Sequence, residues 1–86
     1  MNFFECIERI ERLDILIRLE NTGTPKELSN RLNISERQIY RSIERMRNLG
    51  AEIVYSKYKQ SYIYVKPVKF NFGFTLQDSK SSLMNV

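Results

Sequence analysis

Arg37, Arg41 and Arg45 recur every four residues with Gln38 beside them, in a segment whose apolar residues Ile39, Ile43, Met46 and Leu49 keep the same helical period. On a helix this spacing sends the guanidinium and amide groups to one side and the aliphatic groups to the other. A guanidinium forks onto the two acceptors of a guanine edge, a glutamine amide matches the donor and acceptor of adenine, and both hold phosphate oxygens. Arg37, Gln38 and Arg41 occupy the first two turns, the part of a docked helix that meets base edges. Tyr40 between them suits a phosphate, a thymine methyl group or packing against the segment that follows. Arg45 and Arg47 stand further along, where pairing with Glu44, hydration and a phosphate contact are equally open.

The inventory excludes most other chemistry. The chain has no histidine and a single cysteine, Cys6, so neither a Cys/His metal cluster nor an intrachain disulfide can form. Cys6, beside Ile7 and Ile10, reads as a small buried hydrophobe. There is no glycine-rich phosphate loop and no nucleophile elbow, and the basic segment holds only two acids, Glu36 and Glu44. No catalytic residue, metal, cofactor or small-molecule ligand is therefore expected.

Three helices are needed to position the basic face. Phe3, Ile7, Ile10, Leu13 and Ile17 step by threes and fours, which predicts a first helix over about 3–21. Its acid-before-base pairs Glu5/Arg9, Glu8/Arg12 and Asp14/Arg18 read as a solvated face, and Gly23 as its C-terminal stop. Thr24-Pro25-Lys26-Glu27 has the form of an N-cap, a proline at the first helical position and a capping box. It opens a short helix over about 25–33 that carries Leu28 and Leu32 and turns at Asn33. Ser35-Glu36-Arg37-Gln38 is a second capping box, opening a helix over about 36–49 that Gly50 closes.

Ser35 and Thr24 stand where unpaired amides at helix starts attract phosphate; Glu36 opposes this at Ser35, and plain capping is the equal alternative at Thr24. Beyond Gly50, two β-prone runs predict an antiparallel hairpin, with strands over about 53–56 and 61–66. The polar tip between them places Lys57, Lys59 and Gln60, with Tyr58, where a DNA backbone or minor groove would be reached. Val68, Phe70, Phe72, Phe74 and Leu76 then alternate with small or polar residues, predicting a further strand over about 68–76. The Ser-containing stretch 77–86 is aperiodic and reads as a flexible tail. The fold class is mainly α with a small antiparallel β-hairpin, in one domain over 1–76.

Charge is distributed to match. The net charge is +4, yet residues 1–22 are acidic on balance, whereas residues 35–69 hold four arginines and four lysines against three acids. One face is thus suited to a polyanion. With 42% hydrophobic and 28% charged residues the 86-residue chain is an ordinary globular composition. A chain this short buries only about 60% of its unfolded surface. No apolar run approaches the roughly 20 residues that span a bilayer. The N-terminus lacks the basic start and small-residue cleavage site of a secretory signal, so a cytoplasmic location is expected.

Two short capped helices joined by a tight turn, the second bearing outward arginines, followed by a hairpin, form a helix-turn-helix with a wing. The run from Thr24 to Ser29, then Leu32-Asn33-Ile34-Ser35-Glu36-Arg37-Gln38-Ile39-Tyr40-Arg41-Ser42-Ile43, then Leu49-Gly50-Ala51-Glu52-Ile53, resembles the winged helix-turn-helix of DeoR-type and WYL-domain transcriptional regulators and of the biotin repressor. The resemblance covers about residues 5–66. It implies a duplex DNA-binding protein that regulates transcription, most simply as a repressor and without an appended effector domain. Ser29, Gln38, Ser42 and Met46 stand where that family usually has Ala, Thr, Asp and Leu, so its base preference does not carry over. The competing reading is a protein-docking module using the Phe70, Phe72 and Phe74 strand. That strand either continues the wing sheet and covers the first helix or pairs with a second copy of itself, which would make it the seam of a homodimer.

Overall fold

The computed structural model describes residues 2–68 and 70–74. Three helices precede a two-stranded antiparallel sheet: α1 (Phe3–Arg18), α2 (Pro25–Leu32), α3 (Glu36–Asn48), β1 (Ile53–Ser56) and β2 (Ser61–Tyr64). Each helix starts on a side-chain cap. The Asn2 side chain accepts from Glu5 N, and the two expected capping boxes both form, at Thr24/Glu27 and Ser35/Gln38. Pro25 occupies the start of α2, where a missing N–H costs nothing.

The helix ends are set by left-handed residues. Asn33 turns the chain between α2 and α3 at φ 56°, and Ile34 N donates to Ser29 O at 3.0 Å. Gly50 closes α3 at φ +110°, with Ala51 N reaching Met46 O at 3.1 Å. An added Cβ at Gly50 would meet nothing within 4 Å, so only the backbone conformation demands glycine there. Gly50→Ala is expected to lower stability by about 1 kcal/mol, read as a lower urea midpoint at unchanged slope.

At the end of α1 the structure departs from the sequence reading. The helix stops at Arg18, and Glu20 takes the left-handed position behind it at φ 54°, with Asn21 N donating to Leu16 O; Gly23, at φ 77°, comes too late to end α1. The reason is tertiary: the early turn brings Thr22 to the outer edge of β2. Thr22 N donates to Ser61 Oγ at 3.0 Å, and Tyr62 N donates to Thr22 Oγ1 at 2.9 Å. Both side chains are fully buried, and this lock fixes the wing to the α1–α2 loop.

The hairpin pairs Ile53 with Tyr64, Tyr55 with Tyr62 and Ser56 with Ser61. Tyr55 and Tyr62 meet edge to face at 5.2 Å. The core joins Ile10, Leu13 and Ile17 of α1, Leu28 of α2, Ile39, Ile43 and Met46 of α3, and Ile53 and Tyr62 of the hairpin. Two ends of the predicted stripes overrun it, since Phe3 and Leu49 are exposed.

Asp14 is a second departure. Although it forms the expected pair with Arg18 at 3.2 Å, it is only 3% exposed and accepts a 2.7 Å hydrogen bond from the Tyr64 hydroxyl. Rather than decorating a solvated face, Asp14 ties α1 to β2.

β2 ends at Tyr64, and Val68 and residues 70–74 form no ladder with it. Pro67, which has no N–H to donate, interrupts the sheet. Phe70 packs against the core, and Phe72 rests on Phe3 of α1 with ring centroids 5.4 Å apart. The remainder of the expected strand, at 69, 75 and 76, and the tail at 77–86 lie outside the described residues.

Candidate nucleic-acid interface

The inner stripe of α3 is fixed by the core, so its outer face is determined. Arg37, Gln38, Tyr40, Arg41 and Arg45 are all exposed on it. The Ser35 cap orients the first turn, Ser35 Oγ accepting from Gln38 N at 3.1 Å. The box also engages the Gln38 side chain, whose Oε1 accepts from Ser35 N at 3.2 Å. A paired contact with adenine would use that oxygen as well as the amide NH2, so in this geometry the oxygen is shared with the cap while the NH2 is free to donate.

The two later arginines separate. Arg47 donates to Ile53 O from Nε at 3.1 Å and from Nη2 at 2.8 Å, and its Nη1 meets Glu44 at 3.2 Å. It therefore joins α3 to β1. Arg45 has a weak contact with Cys6 Sγ at 3.7 Å and otherwise faces outward. Tyr40 is half exposed, outside the core cluster.

Thr24 closes its cap: its hydroxyl accepts from Glu27 N at 3.1 Å, and its own N donates to Glu27 Oε1 at 2.9 Å. The hydrogen bond from the Thr24 N–H, and after it the neighbouring Thr24 hydroxyl, hold the Glu27 carboxyl below its ordinary pKa. A carboxylate thus already faces the amides at the start of α2, and the capping role of Thr24 is formed in full. Ser35 has the same geometry, with the neutral Gln38 in place of an acid.

In the wing, residues 57–60 make the turn, with Gln60 at φ 50°. Lys57, Tyr58 and Gln60 point to solvent, Tyr58 almost completely. Lys59 instead reaches back to Glu20 at 2.6 Å, joining the wing tip to the end of α1. Of the two lysines expected to act together, Lys57 alone is without a carboxylate partner among the described residues.

One residue of this surface escaped sequence reasoning. Arg9, by spacing the partner of Glu5 on the acidic first helix, shares a cleft with Gln38, Arg41 and Arg45. Its spacing from Asn2 and Cys6 puts the three on one side of α1, the signal that could have found it.

Among the described residues there is no cluster of metal-ligating side chains, and no helix is long and apolar enough to cross a membrane. No curated protein and no solved structure matches the chain. A family model described as an HTH domain does match, over residues 11–63, more than half of the 86. The match runs from the middle of α1 through both capped helices and into β2. Three helices, a capped and outward-facing third helix and a hairpin behind it agree with that family in its winged form: the chain belongs to the HTH domain family, whose members are DNA-binding domains rather than enzymes.

Proposed function

We propose that the protein is a sequence-specific duplex DNA-binding regulator of transcription, with α3 in the major groove and the wing on the flanking backbone. The observation that carries this is the outer face of α3. There Arg37, Arg41 and Arg45 stand exposed and without a carboxylate partner among the described residues, while the opposite face is locked into the core. Arg37 and Arg41 read base edges, and Arg45 and Tyr40 meet the groove wall. Occupying the site blocks transcription, so repression is the simplest outcome.

The test is selection of binders from a randomised duplex pool at two salt concentrations. Salt-sensitive binding that enriches one motif is the expected result, and an inverted repeat would add a homodimer. No binding at low salt would overturn the reading in favour of protein docking. The exposed rings of Phe3, Phe72 and Phe74 favour that second reading.

The wing offers a sharper check. Because Lys59 is paired with Glu20 and Lys57 is not, Lys57→Ala is expected to flatten the dependence of log affinity on log salt by about one unit. Lys59→Ala is expected to change that slope less. Equal slopes for both variants and the parent would remove the wing from the interface.

A further inference from the structure

We propose that the cleft between the start of α1 and the middle of α3 is a phosphate-binding site, built by Arg9 and Arg45 beside the base-reading Arg41 and filled by a backbone phosphate of bound duplex. The inference rests on the duplex-binding reading and extends the interface to a helix that the reading leaves out. The cleft measures about 510 Å³, and the three guanidinium groups line it from two different helices. Among the described residues no carboxylate lines it.

Three of the other five arginines are held elsewhere in the fold. Arg18 is paired with Asp14, Arg31 donates to Asn21 O at 2.6 Å, and Arg47 is held by Ile53 O and Glu44. Arg9 and Arg41 have no such partner among the described residues, and Arg45 touches only the Cys6 sulfur. Gln38, on the same wall, has its carbonyl oxygen engaged by Ser35 N and turns its NH2 donor outward. Three guanidinium groups and an amide NH2, beside Asn2, Phe3 and Cys6, offer an oxyanion several N–H donors and positive charge. Arg41 and Arg45 lie successively along α3, so a helix seated in the major groove brings the cleft to the groove's edge, where the phosphates run.

Three measurements decide it. Salt dependence of binding to random duplex is compared for the parent, Arg9→Gln and, as a charge-matched control in another cleft of α1, Arg12→Gln. Arg9→Gln is expected to reduce the slope by about one unit on every sequence alike, with Arg12→Gln unchanged. A parental slope in Arg9→Gln, or the same loss in Arg12→Gln, would overturn the proposal.

The second measurement needs no variant. Cys6, the chain's one cysteine, lines the cleft, so saturating duplex should slow its alkylation by iodoacetamide. An undiminished rate would exclude occupancy of the cleft.

The third separates the sources of phosphate. Inorganic phosphate is compared with chloride at equal ionic strength for its effect on the unfolding midpoint of the parent and Arg9→Gln. A rise confined to the parent would assign the cleft to free phosphate, and with a parent that ignores duplex it would overturn the DNA reading while keeping the site. If the parent binds no duplex and phosphate gives no rise, both fail.

Discussion

Asp14→Ala is expected to lower the free energy of unfolding by about 2 to 3 kcal/mol, far more than removing an exposed acid on the same helix. The carboxylate is nearly inaccessible and has two partners, the Tyr64 hydroxyl at 2.7 Å and Arg18 Nε at 3.2 Å. Arg18 is 40% exposed, so its share is discounted to about 0.5 kcal/mol, as for a surface pair. Most of the cost falls on Tyr64, whose hydroxyl loses a charge-assisted acceptor in a half-buried position. Asp14→Asn keeps an acceptor and should cost less. Combining Asp14→Ala with Tyr64→Phe should cost less than the two separately, because both remove one interaction. Urea midpoints of these four proteins against the parent check the point. A loss below about 0.5 kcal/mol for Asp14→Ala would return Asp14 to the solvated face on which the sequence placed it.

The same contact sets an alkaline signature. Burial, then the hydrogen bond to Asp14 and its charge, push the Tyr64 phenol above its ordinary pKa, and burial raises Tyr62 as well. The folded protein therefore holds these protons where the unfolded chain begins to release them, at roughly pH 10. The stabilisation is complete below that pH and is lost as pH rises toward the folded values. Tyr64→Phe should remove part of this alkaline fall and leave the part due to Tyr62.

Asp14 also illustrates what the sequence could and could not disclose. An acid four residues before an arginine looks the same whether the pair is exposed or buried, and what distinguishes the two cases is Tyr64, fifty residues away. Lys59 is a similar case, since a lysine at a loop tip reads as a free cation until Glu20 is found 2.6 Å from it. Local signals were legible for the opposite reason. A capping box is closed by residues three apart, so Thr24 to Glu27 and Ser35 to Gln38 announced α2 and α3 without reference to the rest of the chain. The end of α1 was hidden because Glu20 adopts its left-handed conformation to deliver Thr22 to Ser61, and nothing near residue 20 encodes that partner. On α3, periodicity told the inner face from the outer. It could not tell Arg47, which meets the backbone of β1, from Arg45, which does not.

That distinction bears on the largest functional effect expected. Arg37→Ala and Arg41→Ala should each weaken binding to the selected motif by about 1 to 3 kcal/mol, and the double variant by nearly the sum if they read separate bases. Both side chains are exposed on a helix held from behind by Ile39, Ile43 and Met46, so truncation should leave the fold intact. Arg47→Ala should behave oppositely, lowering stability through the lost bonds to Ile53 O while affecting DNA only as far as the wing shifts. Affinity for the motif and for scrambled duplex, measured beside the unfolding midpoint, separates these cases. Loss on the motif alone identifies a base reader, whereas equal loss on both duplexes identifies a phosphate contact. If Arg37→Ala and Arg41→Ala leave both affinities untouched, the outer face of α3 is not the reading surface. The major-groove geometry would then have to be abandoned even though the chain belongs to a DNA-binding family.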